Sequence, residues 1–260
     1  MIGCIVQART GSSRLPEKIL LNLDEKNSAL FYVINQLKNC KKINKIVIAT
    51  TNLEQDDIIE EFCRKNEIAF FRGSEKDVLD RYYNCAKNFG FDIVLRITSD
   101  CPLIDPEIID KIIENFEPSS EDYISNTLKN TFPKGLDVEV FTFNALEKAW
   151  SEAKLPSERE HVTHFIRNNS GFKIKNFENE TDLSELRWTL DRKEDLEFLR
   201  EIIKRIEKRP ILMSDVMSVL NEEPQLKKIN QNIDPNEGIN KSKQEDKKFT
   251  DNLENNDEAD

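Results

Sequence analysis

The chain has 260 residues, of which 38% are hydrophobic and 33% charged, with a net charge of −11 and a pI near 5.0. This length suits one α/β domain with a tail, and the acidic balance without a long Lys/Arg stripe argues against general nucleic-acid binding. No apolar run approaches the ~18 residues that a membrane span needs, and the apolar start is too short for a signal peptide. Five separated cysteines without a C-x-x-C pair are typical of reduced thiols, so we expect a cytoplasmic protein that neither binds nucleic acid nor enters a membrane.

Strands and helices alternate over the first hundred residues. Short runs rich in β-branched residues predict strands at 2–6, 45–50, 68–71 and 92–98. Amphipathic patterns between them predict helices at 28–39, 55–66 and 76–88, and Asp105 with Pro106 marks the N-cap and first residue of a further helix that ends near 116. This alternation predicts an α/β fold with a parallel sheet and right-handed crossovers.

The pattern becomes less regular between residues 118 and 179, where we expect a β-rich insertion. It predicts strands at 123–126, 136–143 and 172–177, and helices at 144–153 and 158–168. A short strand at 186–190, an amphipathic helix at 193–208 and a short helix at 214–220 complete a domain that we place at residues 1–221.

The last part of the chain lacks the apolar periodicity of a folded domain. Residues 222–260 hold eleven acidic and six basic residues, a net charge of −5. Such a composition cannot bury enough apolar surface to offset the entropy of ordering. We therefore expect an acidic tail at 222–260 that is disordered over residues 234–260.

A cationic loop follows the first predicted strand, at the sheet edge where α/β folds bind ligands. It carries three cations, a glycine that permits close backbone approach, and two serines whose N–H groups can face an anion. These residues are Arg9, Gly11, Ser12, Ser13, Arg14 and Lys18. Because the rest of the chain is acidic, a polyphosphate site is favoured over a solvated turn. The loop is neither a Walker loop nor a Rossmann G-x-G-x-x-G loop.

Two aspartates follow later predicted strands. Asp100 comes just after the strand at 92–98, and Asp191 after the strand at 186–190. Mg²⁺ binds one or two carboxylates together with substrate phosphates, so this pair predicts a magnesium site beside the cationic loop. Taken singly, Asp100 is equally compatible with a turn cap, and Asp191 followed by Glu194 fits a helix capping box.

A resemblance to a known family rests on several segments. The first, VQARTGSSRLPEK, resembles the nucleotide-binding signature of the cytidylyltransferases that activate acidic sugars, the CMP-Kdo and CMP-acylneuraminate synthetases. Residues 1 to about 210 resemble the spore-coat polysaccharide biosynthesis F-type branch, through the segments FRGSEKDVLDRYY, RITSDCPLIDPEII, KGLDVEVFTFNALEKAW, LPSEREHVTHFI and LRWTLDRKEDLEFL. The resemblance implies a three-layer αβα, mostly parallel Rossmann-like nucleotidyltransferase sheet (GT-A-like), an Mg²⁺ cofactor, and a homodimer through residues 118–179.

The resemblance also implies catalytic roles for individual residues. The triphosphate-binding cations are Arg9, Arg14 and Lys18, of which Arg9 and Lys18 offset charge on the α-phosphate and the departing pyrophosphate. Asp100 and Asp191 match the two Mg²⁺ ligands. The implied catalytic set is therefore Arg9, Lys18, Asp100 and Asp191.

Further positions are implied to contact the nucleoside. Ala8 lies under the cytosine, and residues 72–74 lie against the base and ribose. The whole implied nucleotide-binding set is Ala8, Arg9, Gly11, Ser12, Ser13, Arg14, Lys18, Arg72, Gly73, Ser74 and Thr98. Thr98 and Ser99 stand where the sugar-acid synthetases carry Gln and Gly before the metal aspartate. That Gln can read the cytosine edge, and because Thr98 stands in its place the sequence leaves other triphosphates open beside CTP.

Acceptor binding is predicted on two later segments. Asp137 and Glu139 alternate with valines, so both acids face one surface of a strand. Arg159 is placed to pair with an acceptor carboxylate or phosphate, and His161 lies close to it in sequence. His161 and His164 have an H-x-x-H spacing, but a zinc site lacks further ligands nearby, and a surface or dimer-interface role is an equal alternative.

These features together predict a nucleotidyltransferase. We expect a CTP-dependent cytidylyltransferase that activates a sugar acid or sugar-like acceptor for surface glycan synthesis and releases pyrophosphate. One alternative is a nucleotide-sugar glycosyltransferase, which is disfavoured because the chain has no D-x-D motif. Another is a non-catalytic nucleotide-binding homologue, which is disfavoured by the retained cations and aspartates. The acceptor itself is left open.

Overall fold

A seven-stranded sheet organises the protein, whose computed structural model describes residues 1–12, 14–233 and 246–251. The strands are β1 (Ile2–Gln7), β2 (Lys45–Thr51), β3 (Ala69–Gly73), β4 (Ile93–Thr98), β5 (Tyr123–Ser125), β6 (Glu139–Thr142) and β7 (Ile174–Asn176). Their order in the sheet is β3-β2-β1-β4-β6-β5-β7. Strands β1 to β4 pair in parallel, β6 runs antiparallel to β4 and β5, and β7 pairs in parallel with β5.

Helices cover both faces of this sheet. They are α1 (Ala29–Leu37), α2 (Asp57–Lys65), α3 (Val78–Phe89), α4 (Pro106–Glu114), α5 (Phe143–Glu152), α6 (Pro156–Glu160), α7 (His164–Asn168), α8 (Lys193–Arg205) and α9 (Met213–Glu222). One apolar core packs α1, α2, α4, α8 and α9 against one face, and a second core packs α3, α5 and α7 against the other. The predicted three-layer αβα fold is confirmed. Within the described residues, no helix is long and apolar enough to cross a membrane.

The predicted helix signals are present where the structure places α3 and α4. The Asp105 carboxylate accepts hydrogen bonds from the backbone N–H groups of Glu107 and Ile108 at 2.7 and 3.3 Å, and Pro106 is the first residue of α4. α3 ends at Gly90, whose φ of 66° is the left-handed conformation that favours glycine. These local signals fix the helix ends because they satisfy backbone groups that have no partner within the helix.

Two predicted elements differ from the structure. The strand expected at 186–190 forms only an isolated bridge between Arg187 and Lys134, because the backbone of this segment pairs with two loops rather than with a sheet strand. Gly135 permits that approach: its φ is 110°, and a Cβ there would lie 2.7 Å from the Trp188 carbonyl carbon. The helix expected at 158–168 is broken into α6 and α7 at Val162, whose φ is 60°.

The domain extends beyond the boundary predicted at residue 221. A 3₁₀ segment, Pro224–Ile229, packs on α8 and α9, and Leu226 is buried. The side chain of buried Asn230 donates to the Arg187 carbonyl oxygen at 2.9 Å and to Asp195 Oδ1 at 3.0 Å. The boundary was wrong because this packing relies on few apolar residues and on polar contacts that hydropathy does not reveal.

The tail is described only in part. Residues 246–251 are helical, and Asp246 Oδ1 accepts a hydrogen bond from the Ser157 backbone N–H at 2.9 Å, so the disorder predicted for that stretch is wrong. The disorder predicted for residues 234–245 and 252–260 lies outside the described residues. The homodimer through residues 118–179 stays a prediction.

Candidate active site

Charged residues from three separate segments meet at the carboxyl edge of β1 and β4. Lys18 Nζ lies 2.6 Å from Asp100 Oδ2 and 2.8 Å from Asp191 Oδ1. Arg14 Nη2 lies 2.8 Å from the same Asp191 oxygen. The structure thus brings together the two predicted metal aspartates and two of the three predicted triphosphate-binding cations.

Hydrogen bonds to the backbone of Asp100 hold this residue in position. Its carbonyl oxygen accepts hydrogen bonds from the Leu190 backbone N–H at 2.8 Å and from the Thr189 hydroxyl at 3.2 Å. These bonds join the loop after β4 to the extended segment that leads to Asp191. The two carboxylates therefore both contact the Lys18 ammonium even though they are far apart in sequence.

Asp191 is held from behind by a buried network. Arg187 Nη2 donates to Asp191 Oδ2 at 3.1 Å, and the Arg187 guanidinium also pairs with fully buried Asp195. Asp195 accepts from the backbone N–H groups of Asp191 and Arg192, at 2.9 and 3.0 Å, so Asp195 satisfies the start of α8. The alternative in which Asp191 only caps this helix, with Glu194 as its box partner, is therefore wrong, and the Asp191 carboxylate faces the cleft.

A third aspartate, Asp56, shapes the cationic loop, and sequence reasoning missed this role. It is fully buried, and its Oδ1 accepts hydrogen bonds from the Thr10 backbone N–H at 2.8 Å and from the Thr10 hydroxyl at 2.6 Å. Its other oxygen accepts from the Thr51 hydroxyl. The sequence shows an acidic residue just before α2, in the position of a helix cap. In the structure its carboxylate makes no capping hydrogen bond to that helix. Asp56 is a positioning residue for the loop.

The loop itself turns tightly around Thr10. The Thr10 carbonyl oxygen accepts from the backbone N–H groups of Ser12 and Glu17 at 2.7 and 3.1 Å. Arg9 and Gly11 are exposed, whereas Ala8 is buried just after β1. The predicted contact of Ser13 with phosphate lies outside the described residues.

The pKa values of the three central groups reflect their mutual charge. Burial raises the pKa of Asp100, but the nearby Lys18 ammonium outweighs it and lowers that pKa from 3.8 to about 2. Burial and the Asp100 charge raise the pKa of Asp191, but the charge and hydrogen bond of Lys18, together with the Arg14 charge, outweigh them and lower that pKa. Burial lowers the pKa of Lys18, but the charges of Asp100 and Asp191 outweigh it and raise that pKa above 10.5. All three groups are therefore ionised at neutral pH.

The donor set fits a magnesium ion that is shared with a phosphate. Asp100 and Asp191 converge on one cation, the Lys18 ammonium, which marks a point where positive charge is favourable. Over the described parts of the chain, no group of three or more His, Cys, Asp or Glu side chains could hold a metal, which also disfavours zinc at His161 and His164. Two carboxylates without further protein ligands suit Mg²⁺, because Mg²⁺ completes its shell with phosphate oxygens and water.

The residues expected to contact the base and ribose lie at the end of β3 and just after it. Arg72 donates to the carbonyl oxygens of Thr51 and Leu53 and pairs with Asp57 and Glu60, so its guanidinium braces the β2–α2 connection rather than facing the cleft. The contacts predicted for Gly73 and Ser74 stay predictions.

Thr98 lies beside the metal-site loop. Its hydroxyl is 3.2 Å from the Cys101 sulfur, and a hydrogen bond from it contributes to the lowered pKa of Asp100. Thr98 therefore contacts the loop that carries a metal aspartate, and its predicted contact with the nucleotide stays a prediction.

Two residues predicted to bind the acceptor serve the interior instead. Glu139 is buried; it pairs with Arg96 and accepts from the hydroxyls of Tyr123 and Thr163 at 2.6 and 2.5 Å. Because both of its carboxylate oxygens are used, its prediction as an acceptor ligand is wrong.

Arg159 is the second of these residues. Its guanidinium forms an ion pair with the Asp77 carboxylate at the start of α3, with Nη2 at 2.5 Å from Oδ2. The guanidinium also donates to the Trp150 carbonyl oxygen at 2.7 Å. It ties α6 to α3 and α5, so the predicted pairing with an acceptor anion is wrong.

Asp137 and His161 stay candidates for the acceptor side. Burial, together with the charges of Glu139 and Asp100, raises the pKa of Asp137 from 3.8 to about 6 even though Lys134 opposes the shift. Burial is also the main cause of the lowered pKa of His161. Both side chains are half-buried, and Asp137 precedes β6 on the same side as Glu139. Asp137 is thus an acid whose burial carries a cost in stability.

Comparison with known proteins supports the same chemistry. The family model described as "Cytidylyltransferase" matches residues 3–236. The chain belongs to the cytidylyltransferase family. It is 33% identical over 231 residues to the spore coat polysaccharide biosynthesis protein SpsF of Bacillus subtilis, with 85% of this chain and 94% of that protein covered. An uncharacterized protein of Methanocaldococcus jannaschii is 41% identical over 232 residues, covering 88% and 94%.

A solved structure has the same fold as this cytidylyltransferase-family enzyme. It is a cytidylyltransferase from Leptospira borgpetersenii with a TM-score of 0.84 and 36% identity, covering 90% of this chain and 98% of its own. The predicted family and its SpsF-like branch are confirmed, and the protein is a nucleotidyltransferase.

Proposed function

We propose that this enzyme transfers a cytidylyl group from CTP to an oxygen of a sugar acid or sugar-like acceptor and releases pyrophosphate. The observation that carries the proposal is the convergence of Lys18, Arg14, Asp100 and Asp191 at one edge of the sheet. Two cations beside two carboxylates suit a triphosphate that carries a divalent metal. The donor is inferred from the family, and the acceptor class from the resemblance to the sugar-acid synthetases.

The reaction needs positioning and charge stabilisation rather than a protein nucleophile. An acceptor oxygen attacks the α-phosphorus, a new P–O bond forms, and the bond to the β-phosphate oxygen breaks in line. Lys18, Arg14 and Arg9 stabilise negative charge on the α-phosphate and on pyrophosphate as it departs. Asp100 and Asp191 would hold Mg²⁺, which would supply further charge neutralisation and a lower pKa for the acceptor hydroxyl.

The surrounding residues keep these groups in place. Asp56 holds the cationic loop through Thr10, and Arg187 with Asp195 orients Asp191. Such preorganisation matters because a charged group that is already aimed needs no reorganisation as charge develops in the transition state. Asp137 is the half-buried carboxylate proposed to face the acceptor.

A substrate matrix tests this function. Purified enzyme is mixed with each of the four common nucleoside triphosphates, a set of sugar acids and sugar phosphates, and Mg²⁺, and pyrophosphate release is measured. We expect release that requires both an acceptor and Mg²⁺, is fastest with CTP, and is lost in Asp100→Asn. Lys42→Met, at an exposed ion pair with Glu114, is the matched control and should retain full activity.

The same assay separates the alternatives. Release of a nucleoside diphosphate from a nucleotide sugar, with no pyrophosphate from any triphosphate, would identify a glycosyltransferase. Binding of CTP without turnover across the whole acceptor set would identify a non-catalytic homologue. A different preferred triphosphate would correct the donor while leaving the reaction class intact.

A further inference from the structure

The Lys18 ammonium lies at the point where the two metal-site carboxylates converge. Its Nζ is 2.6 Å from Asp100 Oδ2 and 2.8 Å from Asp191 Oδ1, and the three side chains are 13%, 24% and 9% exposed. Each of these oxygens therefore already has a cation in hydrogen-bond contact. The group that the sequence resemblance implies for phosphate is bound to the residues that it implies for metal.

A divalent cation needs the same oxygens. Mg²⁺ binds carboxylate oxygens at about 2.0–2.1 Å, so an ion between Asp100 and Asp191 would occupy the position of the Lys18 ammonium. Two cations cannot share that position, because they repel each other across a few ångströms in a half-buried site. Arg14 places a second cation 2.8 Å from Asp191 Oδ1, which makes metal binding at that oxygen still less favourable.

A triphosphate offers these cations another partner. Phosphate oxygens form strong charge-assisted hydrogen bonds with both ammonium and guanidinium groups. The backbone of the loop is anchored, since Thr10 is bonded to buried Asp56. The Lys18 side chain can therefore move on its flexible four-carbon stem while the loop keeps its shape.

We propose that Lys18 keeps divalent metal off Asp100 and Asp191 until a nucleoside triphosphate takes its ammonium, so that metal and nucleotide enter the site together. This inference rests on the proposed function, because it takes the two aspartates as the metal ligands. It adds a second task to Lys18: the same ammonium blocks the metal position before the nucleotide binds and contacts phosphate afterwards. A site built this way avoids filling with metal when no nucleotide is present.

The test measures metal binding without turnover. Mn²⁺ is titrated into the enzyme with no acceptor, and free Mn²⁺ is followed by electron paramagnetic resonance, first without nucleotide and then with CTP. Samples of CTP without protein correct for Mn²⁺ bound to the nucleotide alone. The wild-type enzyme should bind Mn²⁺ weakly by itself and much more tightly with CTP.

Four variants give the test its specificity. Lys18→Met should bind Mn²⁺ without nucleotide about tenfold more tightly than the wild type, because a like charge has left the metal position. Arg14→Met also removes a cation, but one that lies on Asp191 and is more exposed than Lys18, so its gain should be smaller. Lys42→Met should behave as the wild type, and adding Asp100→Asn to Lys18→Met should abolish the gain.

The outcomes are distinguishable. Unchanged Mn²⁺ affinity in folded Lys18→Met, a gain equal to that of Arg14→Met, or wild-type binding that is equally tight with and without CTP would each overturn the proposal. Circular dichroism and the melting temperature establish folding, and Lys18→Gln replaces Lys18→Met if that variant does not fold. Failure of the proposed function would instead show as absent pyrophosphate release by the wild type, which this binding experiment does not require.

Discussion

The parallel half of the sheet, β1 to β4, and the half that contains β5 to β7 use their charged residues in opposite ways. In the parallel half, Lys18, Asp100 and Asp191 come from distant segments and meet at the edge of the cleft. In the other half, the charged groups of Glu139 and Arg159 are paired within the fold. Charged residues thus meet at a proposed ligand site in one half and serve the protein's own stability in the other.

The difference follows from where the residues lie relative to the strands. Lys18 and Asp100 follow the carboxyl ends of parallel strands, where loops open to a common edge and cannot be buried by the sheet. Glu139 lies within β6, where the hydroxyl of Thr163, just before α7, donates to it, and Arg159 lies in a short helix that packs on α3. Position at a strand end is therefore better evidence for a ligand site than a charge on an alternating strand.

The largest expected effect comes from removing the carboxylate charges at the edge of the parallel half. Asp100→Asn or Asp191→Asn should leave the fold intact and lower turnover by about 10²–10³-fold, since each removes charge that acts in the transition state. Pyrophosphate release at saturating substrate measures the loss. The double variant should lose far less than the product of the two single losses, because both carboxylates serve one ion. Full Mg²⁺-dependent turnover in Asp191→Asn would remove Asp191 from the metal site.

The next largest effect is a loss of stability in the half that contains β5 to β7. Glu139→Gln leaves the Arg96 guanidinium buried without its counter-charge, which should lower the free energy of unfolding by about 3 kcal/mol. Urea denaturation measures it. Glu178→Gln, at an exposed pair with Lys129, is the control and should change stability by less than about 0.5 kcal/mol. If Glu139→Gln kept wild-type stability but raised the KM for the acceptor, Glu139 would be a ligand after all.

A third experiment sharpens the role of the loop cations. Arg14→Ala should weaken CTP binding by about 1.5–3 kcal/mol, the range for hydrogen bonds to charged groups. Titration calorimetry in the presence of Mg²⁺ measures the change. Arg64→Ala, which removes an exposed helical pair with Glu60, is the matched control and should leave CTP affinity unchanged. Equal affinities for Arg14→Ala and the wild type would assign triphosphate binding elsewhere.

The smallest effect concerns Asp137 and has a definite pH dependence. The folded-state pKa of Asp137 is raised from 3.8 to about 6, so its ionisation destabilises the fold as the pH rises through that interval. Asp137→Asn should therefore raise the free energy of unfolding at pH 7.5 by about 1 kcal/mol and change it little at pH 4. Denaturant unfolding at the two pH values measures this. An equal effect at both would show that the Asp137 pKa is not raised.

Local patterns in the sequence determined much of this protein. The alternation of strands and helices predicted the parallel half of the sheet, and Asp105 with Pro106 predicted the start of α4. The cationic loop and Asp100 were identified because each follows a parallel strand, and parallel strands direct their carboxyl ends to the same edge. Asp191 was identified after a predicted strand that forms only an isolated bridge in the structure. These features depend on short-range backbone preferences and on a general rule of sheet topology, both of which a single sequence carries.

Other features were decided only by tertiary contacts. The sequence did not reveal that Asp56 anchors Thr10, that Asp195 rather than Asp191 satisfies the start of α8, or that Asn230 extends the domain. Each of these is a polar contact between residues distant in sequence or hidden by a nearer candidate. A carboxylate has the same sequence appearance whether it binds metal, caps a helix or pairs with a buried arginine. Only the packed structure determines which partner lies within hydrogen-bond distance, because burial removes water as the alternative partner.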